Sequence, residues 1–318
     1  MGSSSCTVRA PGEGEAWWLV GDHLTFKVGP EQTAGKYALA QTSIPPGGGP
    51  PPHVHHREDE MFFILEGEFA MTYGDQMLSG KAGEAFYLHK GIVHTFKNVG
   101  KTNGGMLVVA APAGFESFVA ECGTRCDEKT PVAPALDQVA FAKLGAVCPK
   151  YGVEIKLDHK PGPMAAPRGA DPAYWVLGGH VRIILTSADT GGQFSVAEVT
   201  CAPGVMVPPH AHRPEDEMFF VREGTAEFQL DGRTVTATAG TFVHVPAGTM
   251  HGFRTAGNVP LKMVDYHTPG GFEEFFRECG VACKDCPTPP GLPKAEEMPR
   301  LMKIFEKHGM TVSMPSKH

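Results

Sequence analysis

The sequence predicts an all-β protein of two tandem barrels, each followed by a short helical tail. Three observations carry that prediction. The chain of 318 residues matches itself without a gap at a shift of 157 residues. Within each copy, short runs rich in β-branched and aromatic residues are punctuated by turn signals every 8 to 12 residues or so, the pattern of a sandwich or barrel. Glycine (39) and proline (28) are both abundant, which favours turns and short strands over long helices.

The repeat sets the domain plan. HVHHREDEMFFILEG at 53–67 falls on HAHRPEDEMFFVREG at 210–224, and WWLVGDH at 17–23 falls on YWVLGGH at 174–180. GFESFVAECGTRC falls on GFEEFFRECGVAC, placing Cys122 on Cys279 and Cys126 on Cys283. The seam lies between residues 157 and 170. The Pro-, Gly- and Ala-rich stretch 160–172 is the natural linker, so the expected domains are 1–159 and 160–318.

Along the first copy, residues 17–28 and 37–44 read as strands. PPGGGPPP at 45–52 is a turn that no central strand accommodates. Gly67 separates two apolar runs. Gly74-Asp75, matched by Asp231-Gly232, is a hairpin turn. Residues 83–88 and 106–110 complete the strand set. Helices are expected only after the strands, at 114–122 with Phe115, Phe118 and Val119 on one face, at 134–144, and at 295–308 with Gly309 as the stop.

Composition narrows the classes. Hydrophobic residues make up 42% of the chain, enough for a folded core. The net charge of −7, with acids and bases mixed, argues against a nucleic-acid surface. No apolar run approaches the roughly 20 residues of a membrane span. The opening MGSSSCTVRAPGEGE has no apolar signal core, and Cys6 stands where a lipidation start after Gly2 wants Ser or Thr. A cytoplasmic protein with neither a membrane nor a nucleic-acid partner is expected, and a homodimer is an allowed assembly. Reduced thiols are the default for the eight cysteines. The alternative is a local bridge at each helix end, Cys122–Cys126 and Cys279–Cys283. Cys279, Cys283 and Cys286 lack the fourth ligand of a zinc site.

The chemistry concentrates in the repeated histidine segments. Residues i and i+2 of a strand share a face, so His53 and His55 aim at one point, as do His210 and His212. Glu60 and Glu217 follow closely. A third imidazole arrives on another strand, His94 or His251, after a tight turn at Gly91 or Gly248. Each half thus offers three imidazoles and a carboxylate: His53, His55, Glu60, His94 and His210, His212, Glu217, His251. That set suits a divalent first-row metal and leaves positions open for substrate. Other residues read more plainly. His56 points to the opposite face and is solvated. Asp59 and Asp216 are strand-end or turn carboxylates, with a ligand swap for Glu60 or Glu217 as the alternative. His23 and His180 serve the core or support the ligands, and Phe62, Ile64, Phe86 and Leu88 fill the barrel or wall an apolar pocket.

These residues resemble the cupin superfamily. Its first motif, Gly, five residues, HxH, three or four residues, Glu, six residues and Gly, is met from Gly47 to Gly67 and from Gly204 to Gly224. Its second, Gly, five residues, PxG, two residues, His, three residues and Asn, is met from Gly83 to Asn98, with His89 in place of proline. It is met again from Gly240 to Thr255, with Thr255 in place of asparagine. Two such sets identify a bicupin, and the HHREDE segment with the following GFESF helix looks most like the quercetin 2,3-dioxygenase-like group. The resemblance implies two jelly-roll barrels and up to two divalent metals (Fe, Mn, Ni, Co or Cu). Glu60, and Glu217 in its own half, would be bases toward a flavonol-like or other enolisable substrate cleaved with dioxygen. The alternatives are a metal-dependent lyase, isomerase or decarboxylase working without dioxygen, and a bicupin that binds metal and a small ligand without catalysis.

Overall fold

The computed structural model describes residues 5–127, 132–164, 172–283 and 293–313. The chain divides into two units, Glu13–Gly169 and Met1–Gly12 with Ala170–His318. Each unit is two antiparallel sheets packed face to face, as alternating apolar strands require when each has one face to bury.

In the first unit the larger sheet runs, in spatial order, Thr124–Arg125, Glu15–Leu19, Asp22–Val28, Ala38–Ile44, Gly104–Ala111, Asp59–Glu66 and Ala85–Leu88. The smaller runs Val153–Ile155, His53–His55, His94–Asn98, Glu68–Tyr73 and Gln76–Lys81. Ile44, Phe62, Ile64, Phe69, Met71 and Leu88 meet between them as one buried cluster, against which Phe86 packs. In the second unit the strands Asp216–Glu223, Leu261–Thr268, Met206–His212 and His251–Ala256 hold the corresponding places. Phe219, Phe228 and Phe253 pack centrally there.

Residues 17–28 are not one strand. They form a hairpin, Glu15–Leu19 with Asp22–Val28, turning at Val20 (φ 52°) and Gly21 (φ 87°). Two consecutive positive φ values match the right-handed twist of the paired strands. Leu177 (φ 50°) and Gly178 (φ 90°) repeat the turn in the second unit. The helix expected at 134–144 occupies Gln138–Val147, because Asp137 caps it by accepting the Ala140 N–H at 2.9 Å.

The even division at 159/160 needs a correction at the N-terminus. Thr7–Arg9 pairs antiparallel with Phe242–Val245, Thr7 opposite His244 and Arg9 opposite Phe242. An edge strand offers unpaired backbone groups to any extended segment within reach, and residues 1–12 accordingly belong to the second unit. Most of the linker, 165–171, and Cys286 lie outside the described residues. No disulfide joins Cys122 to Cys126 or Cys279 to Cys283.

Candidate metal centres

Both HxH pairs lie in the smaller sheet of their unit. His94 stands directly opposite His53 in the neighbouring strand, and His251 opposite His210. The third imidazole therefore comes from beside the pair rather than from across the barrel. It is the carboxylate that crosses, since Glu60 and Glu217 extend from strands of the larger sheet. Gly91 (φ 81°) and Gly248 (φ 80°) make the turn before the third histidine. Their N–H groups donate to the carbonyls of His55 (2.7 Å) and His212 (2.6 Å). Asp59 accepts the Lys90 N–H at 2.7 Å, and Asp216 the Ala247 N–H at 2.9 Å. Asp59 and Asp216 are thus turn carboxylates that brace the turn before the third histidine.

The four donors of each set are buried and lie within 4.8 Å of one another. Their tautomers are set from behind. His53 Nδ1 meets the Pro51 carbonyl at 2.9 Å and His94 Nδ1 the Ile92 carbonyl at 2.9 Å. His210 and His251 repeat this at the carbonyls of Pro208 and Thr249, both at 2.9 Å. A carbonyl only accepts, so Nδ1 carries the proton and Nε2 turns its lone pair inward. His94 Nε2 is 2.8 Å from Glu60 Oε2, and His212 Nε2 is 3.2 Å from Glu217 Oε2. Donors about 2.1 Å from one ion and at right angles lie about 3 Å apart. The donor set fits a divalent transition metal in each unit, up to two per chain.

The electrostatics agree with that role. Burial, then the neighbouring imidazoles of His94 and His55, push His53 down to about 3, which keeps it neutral. Burial alone would raise Glu60, but His55 and His94 outweigh it and hold the carboxyl at about 2. His210 is depressed to about 3 in the same way, by burial and then His251, and Glu217 is held well below the usual range, with His212 and His251 outweighing burial. The depressed imidazoles and the ionised carboxylate suit metal binding, whereas burial lowers His55 and His251 but Glu60 with Glu58, and Glu217, outweigh it and raise them.

Of the remaining histidines, His56 is exposed and meets Glu154 at 3.1 Å. His23 and His180 pack edge-on against Trp18 and Trp175, outside the donor sets. Sequence reasoning missed two groups. Glu58 lies 3.4 Å from His55 Nδ1, and Glu215 lies 3.8 Å from His212 Nδ1. Their match at the 157-residue shift was the available signal. Asp265 and His267 are buried beside Glu217, with His267 Nε2 3.3 Å from Glu217 Oε1 and His267 Nδ1 3.8 Å from Asp265. Burial lowers His267, but Asp265 and Glu217 outweigh it and lift it to about 9. The first unit has nothing equivalent at these positions: Glu217 has His267 as its cross-strand neighbour, whereas Glu60 has Ala110.

Each centre opens into an apolar cavity. Asp22, whose carboxyl burial raises to about 7 from an ordinary 3.8, lines the first. A carboxyl raised on folding is harmless below pH 4 and destabilises increasingly between pH 4 and 7, where only the unfolded chain ionises freely. Above pH 7 the penalty is constant and on the order of 4 kcal/mol. Asp22→Asn is therefore expected to raise the melting temperature of the metal-free protein at pH 8 and leave it nearly unchanged at pH 4. Thermal scans at the two pH values check this.

The cupin domain family matches residues 40–110 and 197–267. A quercetin 2,3-dioxygenase of Bacillus subtilis is 36% identical over 99 residues, 31% of this chain and 29% of that protein. The alginate biosynthesis protein AlgA of Pseudomonas putida is 30% identical over 79 residues, 25% of this chain and 16% of that protein. These alignments span under a third of either relative. Among solved structures, a Lactobacillus farciminis oxalate decarboxylase superposes with TM-score 0.60 at 16% identity, covering 90% of each chain. Bacillus subtilis oxalate decarboxylase, a protein with Mn(II) centres, superposes with TM-score 0.59 at 19% identity over 99% of this chain and 90% of that one. At such identities the likeness concerns the fold. No described helix is long and apolar enough to cross a membrane. With two cupin domains in tandem, each folded as a sandwich around its own donor set, the chain is a bicupin of the cupin superfamily.

Proposed function

We propose that the protein is a metal-dependent dioxygenase acting on a flavonol-like or other enolisable aromatic substrate, similar to quercetin 2,3-dioxygenase. The observation that carries this reading is the character of the cavities. Among the described residues lining them, none is Lys or Arg; Leu24, Phe62, Phe96, Phe115 and Phe118 wall the first, and Phe219, Phe253, Phe272 and Phe276 the second. A small dianion such as oxalate would meet a bound metal as its one cation, and its second carboxylate would be left against apolar walls with no Lys or Arg to pair it, at heavy cost. A planar aromatic suits the lining.

The proposed ligands are His53, His55, Glu60 and His94, with His210, His212, Glu217 and His251 in the second unit. A divalent metal bound there supplies Lewis acidity and a coordination position for a substrate oxygen. The apolar walls orient the ring and exclude water. Glu60 accepts the proton of the substrate hydroxyl at Oε2. As it turns from the imidazoles, it leaves the groups that hold its proton affinity low, and burial then favours the protonated acid. The resulting enolate is electron-rich enough to react with dioxygen: two C–O bonds form from the one O2 molecule, the two ring C–C bonds flanking the carbon between them break, and that carbon leaves as carbon monoxide. Glu217 has the same place, but His267 faces its second oxygen, so Glu60 is the freer base.

Oxygen uptake tests the reading. Metal-loaded protein is expected to consume dioxygen with quercetin and to leave oxalate untouched with or without air. Decarboxylation of oxalate, or turnover of quercetin without air, would favour the oxygen-independent alternative. Tight binding with no turnover would favour a non-enzymatic bicupin.

A further inference from the structure

The first cavity contains one charged group for which the metal chemistry has no use. Asp22 closes the hairpin opposite Leu19 and is only 6% exposed. Its Oδ1 has no hydrogen-bond partner. An isolated buried carboxyl is among the costlier things a fold can contain, and such groups persist where a ligand completes them. Among the described lining residues no Lys or Arg pairs with it, and a carboxylate repels an anionic ligand. The complement of an unpaired carboxylate in an apolar chamber is a neutral donor, an O–H.

The internal repeat supplies a control. At the 157-residue shift Asp22 corresponds to Gly179, which lines the second cavity with no side chain at all. The hairpin turn, the donor set and the aromatic walls are all kept in the second unit without a carboxylate at this position, the carboxyl of Asp265 entering that cavity from a different strand. Asp22 is therefore dispensable to the fold of the barrel, and its presence in one cavity alone points to a ligand contact.

We propose that Asp22 is a recognition residue of the first cavity, accepting a hydrogen bond from a second hydroxyl on the aromatic substrate, remote from the oxygen directed at the metal. The proposal rests on the reading of the cavity as an aromatic-substrate site. It deepens that reading: the preferred ligand is polyhydroxylated, and the two cavities differ in selectivity.

Matched probes test it. Quercetin carries several ring hydroxyls besides the one flanking its carbonyl, whereas 3-hydroxyflavone carries only that one. Both are titrated anaerobically into the metal-loaded chain, so binding is read apart from any oxygen chemistry. A variant that silences the second centre, His210→Ala with His212→Ala, isolates the first. Wild-type Asp22 is expected to bind quercetin at least about tenfold more tightly than 3-hydroxyflavone, the usual value of a hydrogen bond to a charged acceptor. Asp22→Gly and Asp22→Leu are expected to remove that preference while holding 3-hydroxyflavone affinity within about twofold, because uncompensated polar loss falls on the polar ligand. Equal weakening of both probes, or of neither, would overturn the proposal. So would loss of the folded state in both variants, since it would make Asp22 a structural group. Preserved discrimination without oxygen uptake would overturn the dioxygenase reading alone. Failure of the wild type to bind either flavonol would overturn both.

Discussion

Replacing Glu60 by Gln is expected to lower flavonol turnover by about 10²–10⁴-fold, the range for loss of a positioned general base. Gln keeps the size of Glu60 and one oxygen for the metal but cannot take the substrate proton. Metal content should therefore hold while the turnover number collapses. Glu217→Gln is expected to do much less. Glu217 Oε1 lies 3.3 Å from His267 Nε2, and His267 in turn lies 3.8 Å from Asp265. This pair restrains Glu217 on the side away from the imidazoles. Glu60 has Ala110 as its cross-strand neighbour and Val108 opposite Phe62, so nothing polar restrains it there. Steady-state rates of the two variants, each beside its metal content, check the difference. Equal losses would show that the two carboxylates do the same work.

The second large effect concerns the metal. His53→Ala with His55→Ala is expected to lower metal content from about two ions per chain to about one, and the same pair of changes at His210 and His212 to remove the other. The two losses should be independent, because each donor set belongs to its own unit. Chelation should destabilise both units, by about 4 kcal/mol when free metal had stood at a thousandfold excess over its dissociation constant. Elemental analysis of each variant and thermal scans with and without chelator read these outcomes. Content that stayed at two ions in either double variant would place the metal elsewhere.

Much of the fold and of the centre was legible because it rests on local rules. Period-two geometry puts His53 and His55 on one face, and glycine at 91 and 248 marks the turn that returns the chain to His94 and His251. The self-match at 157 residues did the rest, since a residue type kept in both copies has been kept by the same packing. What escaped was non-local. The pairing of Thr7–Arg9 with Phe242–Val245 joins segments more than two hundred residues apart, and three residues carry no periodic signal. The Val20-Gly21 turn was hidden inside an apolar run because a β-branched residue rarely takes a positive φ. Asp22, Asp265 and His267 break the repeat, having Gly179, Val108 and Ala110 as counterparts. A search for what the copies share passes over them, yet these departures distinguish one cavity from the other.

The central claim is dioxygen chemistry in an apolar, metal-lined cavity, and isotope labelling tests it most directly. Metal-loaded protein is supplied with quercetin under ¹⁸O₂, and the organic product is analysed by mass spectrometry. The account predicts ring-cleaved product carrying both oxygen atoms of one labelled dioxygen molecule. Cleaved product free of label, or formed equally well without oxygen, would contradict it.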